Sequence, residues 1–264
     1  MEIILLLQIT AHILADFFFQ PEHWSLSKQK KGYQSFEMFY HSGVVFITSI
    51  LFTFSISFIL FALIISVSHL LIDLLKSYTE RKISRKKNVS LSPKQTYGNL
   101  SIFITDQLLH LIIIYSSVYL FIQHNNLPDY LANIDLNFLL IIMGFLFCLK
   151  PANIFIRTLL LSLNLSLSEK STNTSDSKRE DLERAGRWIG SIERILAYFL
   201  VLLGQFTAIG FIIAAKSILR YNDKPLAKTE YVLIGTLMSF GIAIILGLGV
   251  TKEAFTRILD LICF

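Results

Sequence analysis

Long apolar stretches separated by short polar segments run through this chain, and several have the length of a membrane span. A transmembrane helix needs about 20 consecutive, mainly apolar residues. The stretches that approach this length cover residues 3–20, 36–53, 57–76, 98–122, 136–162, 188–215 and 231–250. A tight turn at about 54–57 joins the second and third, which predicts a helical hairpin. The pattern predicts an all-α fold, a polytopic membrane helical bundle of about seven transmembrane helices.

Composition agrees with a membrane protein, because 53% of the 264 residues are apolar and only 16% are charged, against roughly 25% charged in soluble domains. Residues 2–7 lack the basic region and the cleavage site of a signal peptide, so we interpret them as part of a retained first helix. With only Cys148 and Cys263, a disulfide framework and a Cys-based zinc site are excluded. The net charge of +5 fits attraction to anionic membrane lipids, and no nucleic-acid partner is expected.

The basic residues between the spans predict an orientation. Segments 21–35 (with Lys28, Lys30 and Lys31) and 76–97 are rich in basic residues, whereas the 54–56 turn and the 123–135 loop carry no Lys or Arg. The positive-inside rule therefore places the first two segments in the cytosol. Four basic residues of the C-terminal part would then lie outside, against the rule: Lys216, Arg220, Lys224 and Lys228.

The chain divides into four predicted parts. Residues 1–122 would form a four-helix membrane unit. Residues 136–164 would form a span followed by an interfacial helix, since Pro151 breaks the helical hydrogen-bond ladder. The Ser- and Thr-rich run within 165–185 is typical of a polar linker, and 186–264 would form a C-terminal membrane hairpin.

Four of the predicted helices carry an acid and a histidine four residues apart. The pairs are His12/Asp16, Glu37/His41, His69/Asp73 and Asp106/His110. Residues four apart share one helix face, and ionisable side chains are costly in lipid, so these should point into the bundle. The order of acid and histidine alternates from one pair to the next. Antiparallel neighbours would therefore place the acids at one depth and the histidines about one turn deeper, in the cytosolic half.

Imidazole and carboxylate groups that converge in this way predict a metal site for Zn, Mn or Fe. We expect one or two divalent transition-metal ions, with Zn favoured. The candidate ligands are His12, Asp16, His41, His69, Asp73, Asp106 and His110. Two ions about 3.5–4 Å apart clamp a phosphoester for attack by a bridging water. Asp73 or Asp106 would then be the catalytic residue, as general base or bridging ligand. A proton relay or a structural polar network would use the same residues.

Polar neighbours supply accessory candidates: Gln20, Glu37, Lys76 and Gln107. Gln20 lies four residues after Asp16, and Lys76 lies three after Asp73. Lys76 could bind a phosphate, although a lysine that snorkels at a helix end is the commoner case. Glu37 is the weakest member, because a helix that begins at residue 36 would leave it in solvent.

A second polar set occupies the C-terminal part: Arg187, Glu193, Arg194, Lys216, Arg220 and Glu230. A salt-bridge network that positions helices is the simpler interpretation, and a headgroup or partner site is the alternative. Glycines give the last span a small-residue face at Gly235, Gly241, Gly247 and Gly249. Such a face suits close helix packing, within the chain or in a homo-oligomer.

Several of these motifs resemble a known family. His12-x3-Asp16-x3-Gln20, isolated His41, Ser68-His69-x3-Asp73-x2-Lys76 and Asp106-Gln107-x2-His110 resemble motifs of an uncharacterised bacterial integral-membrane family, a domain of unknown function. The resemblance covers residues 1 to about 122, and parts of 186–236 resemble the longer members. It implies a bacterial inner (cytoplasmic) membrane, spanned several times.

The Ser-His-x3-Asp motif is also distantly similar to that of membrane-bound metal-dependent hydrolases, which are themselves thought similar to zinc-dependent phospholipase C enzymes. This likeness implies that the seven candidate residues are metal ligands or neighbours of the ligands. Glu37 has no counterpart in it.

The favoured function is a membrane-embedded, metal-dependent hydrolase that acts on a phosphoester or lipid-like substrate at the cytosolic leaflet. The main alternative is a transporter or channel for divalent metals or protons, which predicts a polar path to the outer face. Few polar residues lie in the outer halves of the first four spans: Gln8, Thr48, Ser55, Ser116 and Ser117. A third reading is a non-catalytic membrane sensor or assembly protein whose site is structural.

Overall fold

The computed structural model of the protein describes residues 1–31, 34–86, 100–125, 128–162, 176–220 and 226–262. Within these ranges every regular element is a helix, which confirms the all-α fold. Helices long and apolar enough to cross a membrane are Phe36–Thr53, Ile56–Ile83, Leu100–His124 and Leu233–Thr251. The pair Leu136–Cys148 and Lys150–Ser162 is a fifth candidate, bent by 44°. The described residues thus hold four to five candidate membrane spans.

The chain forms two compact units, Met1–Leu139 and Leu140–Phe264. The helices of the first unit are α1 (Glu2–Ile13), α2 (Glu22–Lys31), α3 (Phe36–Thr53), α4 (Ile59–Lys86), α5 (Leu100–His124), α6 (Asp129–Ala132) and the start of α7 (Leu136–Cys148). A π-helical turn, Leu14–Phe18, continues α1, and a 3-10 turn, Ile56–Phe58, precedes α4. The first predicted span, 3–20, is therefore not one regular helix.

Four helices of the first unit form a bundle. Helix α1 packs against α3 and α5, and α4 packs against the same two helices, while α2 contacts α3 and α4 from outside this ring. The apolar core comes from residues such as Ile4, Leu7, Val45, Phe58, Ile65, Ile114 and Phe121. In the chain, these core residues come before the cluster histidines of α1 and α4 (His12 and His69). They come after the cluster histidines of α3 and α5 (His41 and His110). The alternating helix directions therefore place the histidines nearer the apolar core than the acids.

The predicted hairpin between the second and third spans is present. Helix α3 ends at Thr53, and Phe54 adopts a left-handed conformation with φ of 47°, which commonly terminates a helix. The Tyr130 hydroxyl donates a hydrogen bond to the Thr53 carbonyl at 2.8 Å. Large apolar side chains cover the outside of α3, α4 and α5, such as Ile47, Leu51, Leu60, Leu63, Leu108 and Ile112. An apolar exterior of this kind matches a lipid environment.

The second unit holds α8 (Lys150–Ser162), α9 (Asp176–Leu202), α10 (Phe206–Arg220) and α11 (Leu226–Ile262). The predicted break at Lys150-Pro151 separates α7 from α8, because proline is tolerated only in the first turn of a helix. Helix α11 packs closely against α9. A Cβ at Gly247 would lie 2.6 Å from Val201 Cγ1, so this glycine allows the close approach within the chain.

Two predictions for the second unit need correction. The stretch 188–215 is not one span, because α9 ends at Leu202 and α10 begins at Phe206. Gly204 between them has φ of +70°, a conformation that ends helices readily at glycine. The predicted linker 165–185 is helical from Asp176 onwards. Its earlier part, up to residue 175, lies outside the described residues.

Candidate functional site

All seven side chains predicted as metal ligands come together in the four-helix bundle of the first unit. Three overlapping groups have potential ligand atoms within 4.8 Å of one another: His12, Asp16 and His69; His41, His69 and Asp73; and Asp73, Asp106 and His110. His69 and Asp73 each belong to two groups, so the three form one continuous cluster. The pairs His12/Asp16, His69/Asp73 and Asp106/His110 contribute both of their members, as their four-residue spacing predicted, whereas α3 contributes His41 alone.

Asp16 is the centre of one half of this cluster, the Asp16 half. Its Oδ1 lies 3.2 Å from His41 Nε2, 3.3 Å from His69 Nε2 and 3.8 Å from His12 Nδ1. Asp16 lies in the π-helical turn, where the Phe19 amide donates to the Leu14 carbonyl five residues earlier. π-Helical turns occur often at functional sites. The turn therefore determines where the Asp16 carboxylate meets the two imidazoles.

Three atoms of the Asp16 half form a small triangle. His41 Nε2 and His69 Nε2 are 3.0 Å apart, and both are close to Asp16 Oδ1. Ligand atoms about 2.0–2.1 Å from a tetrahedral zinc ion are separated from each other by about 3.3–3.4 Å. The three atoms are therefore spaced nearly as one face of a coordination tetrahedron, and the donor set fits zinc.

The other half of the cluster, the Asp106 half, is looser. His110 Nε2 lies 3.5 Å from Asp106 Oδ1 and 4.0 Å from Asp73 Oδ1, and the His110 ring stacks on the His69 ring at 3.9 Å. The Asp73 carboxylate lies between the halves, because its other oxygen, Oδ2, is 3.9 Å from His69 Nε2. One carboxylate thus offers an oxygen to each half.

Burial leaves part of the cluster without hydrogen bonds. The histidines and Asp106 are at most 5% exposed. Five buried atoms of the cluster have no hydrogen-bond partner among the described residues: His12 Nδ1 and Nε2, His41 Nδ1, Asp106 Oδ1 and His110 Nε2. Each such atom costs about 1–3 kcal/mol unless something satisfies it. Imidazole nitrogens and carboxylate oxygens are the groups that a transition-metal ion satisfies.

Two lysines bind acids of the cluster. Lys28 Nζ donates a hydrogen bond to Asp73 Oδ2 at 2.6 Å, and Lys76 Nζ donates to Asp106 Oδ2 at 2.7 Å. The Lys28 side chain is only 7% exposed, although α2 lies outside the four-helix ring. Lys28 was not among the site residues that the sequence predicted, since it was taken only as one of three basic residues in the segment 21–35. The packing of α2 against α3 and α4 brings Lys28 to Asp73.

The remaining accessory candidates occupy different places. Gln107 Nε2 donates to Asp106 Oδ2 at 3.2 Å. Gln20 is partly buried just beyond the π-helical turn. Helix α3 begins at Phe36, as expected, and Glu37 Oε2 accepts a hydrogen bond from Ser35 Oγ at 2.7 Å. Glu37 belongs to none of the three groups that the described acids and histidines form, so three of the four acids that were predicted to lie at one depth belong to the cluster.

The polar set of the second unit makes contacts that position helices. Arg194 is 2% exposed and donates hydrogen bonds to the Cys148 carbonyl, to Asn153 Oδ1 and to Ser239 Oγ, at 2.7–3.0 Å. It therefore satisfies carbonyl groups at the break between α7 and α8. Lys216 forms an ion pair with Glu193. Arg187 is exposed, and the side chains of Arg220 and Glu230 lie outside the described residues.

Fold and site together define the class of this protein: an all-helical protein with several candidate membrane spans and a buried cluster of histidines and aspartates. One family, described as a protein of unknown function (DUF3307), matches residues 4–138, which is about half of the chain. The chain belongs to this family. The matched range contains all seven residues of the cluster. No curated protein and no solved structure matches the chain.

Proposed function

We propose that this protein is a membrane-embedded, metal-dependent hydrolase that acts on a phosphoester or lipid-like substrate at the cytosolic leaflet. The observation that carries the proposal is the triangle of Asp16 Oδ1, His41 Nε2 and His69 Nε2, with edges of 3.0–3.3 Å. Its edges agree with the ligand spacing about a tetrahedral zinc ion, about 3.3–3.4 Å. Mn or Fe would also accept this donor set.

A second ion would be held in the Asp106 half, by Asp73, Asp106 and His110, which gives one or two ions per chain. Asp73 would serve both halves through its two oxygens. When bound, such ions would supply Lewis-acid stabilisation of a phosphoryl group and activation of a water molecule. The chain itself contributes the buried histidines and aspartates of the cluster, and a carboxylate of Asp73 or Asp106 would accept a proton.

The membrane placement is part of the proposal. The lysines of α2 and the basic residues after Lys76 support a cytosolic location for the acid end of the bundle. In a bacterial inner membrane, α1 with its π-helical turn would also cross, and so would α9 or α10. Together with the five candidate spans, these two would give about seven crossings. The site would then face the inner leaflet, where an amphiphilic substrate could present its head while its tail stays in lipid.

The first experiment measures metal in the detergent-purified full chain by mass spectrometry, before and after separate additions of Zn, Mn and Fe(II). We expect about one or two ions per chain in the wild type and loss in His41→Ala/His69→Ala, since this variant removes two corners of the triangle. His124→Gln is the matched control, because His124 is an exposed histidine on α5. Loaded protein is then assayed for phosphate or headgroup release from phosphoesters. Folded wild-type protein that takes up no metal would overturn the proposal.

A further inference from the structure

The two lysines at the cluster, Lys28 and Lys76, come from different elements and bind different acids. Lys28 lies on α2 and pairs with Asp73, while Lys76 lies on α4 and pairs with Asp106. A buried charge is costly unless it is paired, so a lysine that is 7% exposed needs an anionic partner in every state of the protein. Without a metal ion, that partner is Asp73.

Metal binding changes the charge that the lysines face. With neutral imidazoles, the three carboxylates and two ammonium groups of the cluster leave one net negative charge. One divalent ion would change this to one positive charge, and two ions would change it to three positive charges. Excess positive charge in a buried site is unfavourable unless an anion enters. The loaded site therefore favours an anionic ligand over a neutral ester or amide.

We propose that Lys28 and Lys76 are the anion-binding side of this site and that they bind a terminal phosphate group, as a phosphomonoester carries. This inference rests on the proposed function, because bound metal ions would compete with Lys28 and Lys76 for the carboxylates of Asp73 and Asp106 and leave both ammonium groups in need of another anion. An ammonium group offers three donors and binds phosphate as a point charge. Two ammonium groups match the two charges of a phosphomonoester.

Exposure indicates how such a group reaches the lysines. The Lys76 side chain is 30% exposed, whereas the Asp106 side chain that it binds is 2% exposed. The phosphate would enter at Lys76 and meet Lys28 further inside. Lys28 is held there by the packing of α2 on α3 and α4, so α2 acts as a specificity element and not only as a connecting segment.

The test uses full-length protein in nanodiscs, loaded with the metal that it retains, and titrates inorganic phosphate by calorimetry. We expect phosphate to bind and its affinity to fall by about tenfold or more in Lys28→Gln and in Lys76→Gln, since each loses a charge-assisted contact. Lys31→Gln is the matched control, because Lys31 is an exposed lysine on the same α2, and it should bind as the wild type does. Lys28→Arg keeps the charge and should retain binding.

Outcomes for this inference and for the metal site are separable, because metal content is measured on the same samples. Protein that keeps its metal but binds no phosphate, or binds it equally well in both glutamine variants, would overturn the inference and leave the metal site standing. If Lys28→Gln does not fold, the inference is judged on the two other variants: Lys76→Gln should lose phosphate affinity, and Lys28→Arg should keep it. Competition by soluble glycerol phosphate would identify a free phosphomonoester as the ligand, and competition only by phosphatidic acid in the nanodisc would identify a lipid headgroup.

Discussion

At the scale of single residues, the carboxylate of Asp16 has the most crowded position in the cluster. Its Oδ1 is within 3.8 Å of nitrogens from three histidines on three helices. Two of these nitrogens, on His41 and His69, are only 3.0 Å from each other. A hydrogen atom can form a hydrogen bond between only two of these three atoms. A cation at the centre of the triangle would instead bind a lone pair from each of them.

Asp16→Asn tests this position, since the amide keeps the size of the side chain and removes its charge. We expect metal affinity, measured by competition with a chelator, to fall by at least about 100-fold, because even residues that only support ligands commonly contribute about 10–100-fold. Glu37→Gln is the control, as it removes an acid close in sequence to His41 that joins no ligand group in the described structure. Equal affinities for wild type and Asp16→Asn would contradict a role of Asp16 as a ligand.

At the scale of elements, α1 and α3 are joined by a buried hydrogen-bonded clamp one turn away from His12. Gln8 Nε2 donates to the Ser49 carbonyl at 2.9 Å, and Ser49 Oγ donates to Gln8 Oε1 at 2.6 Å. Both side chains are 2% exposed. The clamp fixes the relative height of the two helices, and this height decides whether Asp16 on the π-helical turn meets His41.

Gln8→Ala would leave the Ser49 hydroxyl and carbonyl buried without this partner. We expect the free energy of unfolding to fall by about 1–3 kcal/mol, measured by thermal or denaturant unfolding in detergent. Ser116→Ala is a suitable control on α5, because its hydroxyl is exposed and bonds only within its own helix, and its effect should stay within about 0.5 kcal/mol. A Gln8→Ala protein as stable as the control would mean that the clamp contributes nothing.

At the scale of the whole molecule, the distribution of polar and apolar side chains bears on the choice between hydrolase and transporter. On the side of the histidines away from the acids, the interior of the first unit is mainly apolar, with Phe58, Ile114 and Phe121, and it also holds the buried polar residues Thr48 and Ser117. The hydroxyl groups of Ser49, Thr53 and Tyr130 are donated to Gln8 and to backbone carbonyls. Because these hydroxyl groups are used within the protein, the contacts favour a closed interior over a continuous polar path for ions.

Proteoliposomes that contain a metal-sensitive dye and the full-length protein should therefore show no metal entry above that of empty vesicles. The physical reason is that close-packed apolar side chains exclude hydrated ions. The His41→Ala/His69→Ala variant serves as the matched sample. Metal entry in the wild type that disappears in this variant would reassign the same cluster to transport.

The sequence by itself determined the helical class and predicted the acids and histidines that lie together in the bundle. Apolar stretches of membrane-span length predicted α3, α4, α5 and the apolar part of α11, because length and hydrophobicity are local properties. Four-residue spacing predicted which acids and histidines share a face, and the alternating order predicted their common depth. These signals are periodic along the chain, so they can be recognised without knowing which helices touch.

Only the tertiary structure decided what depends on contacts between distant residues or on local backbone geometry. Lys28 cannot be told from Lys30 or Lys31 by spacing, since its burial follows from the packing of α2 on two other helices. The π-helical turn at Asp16 and the left-handed Gly204 that divides 188–215 are backbone conformations that hydrophobic pattern does not encode. Glu37 had the expected spacing but lies in the first turn of α3, where Ser35 binds it, and this kept it out of the cluster.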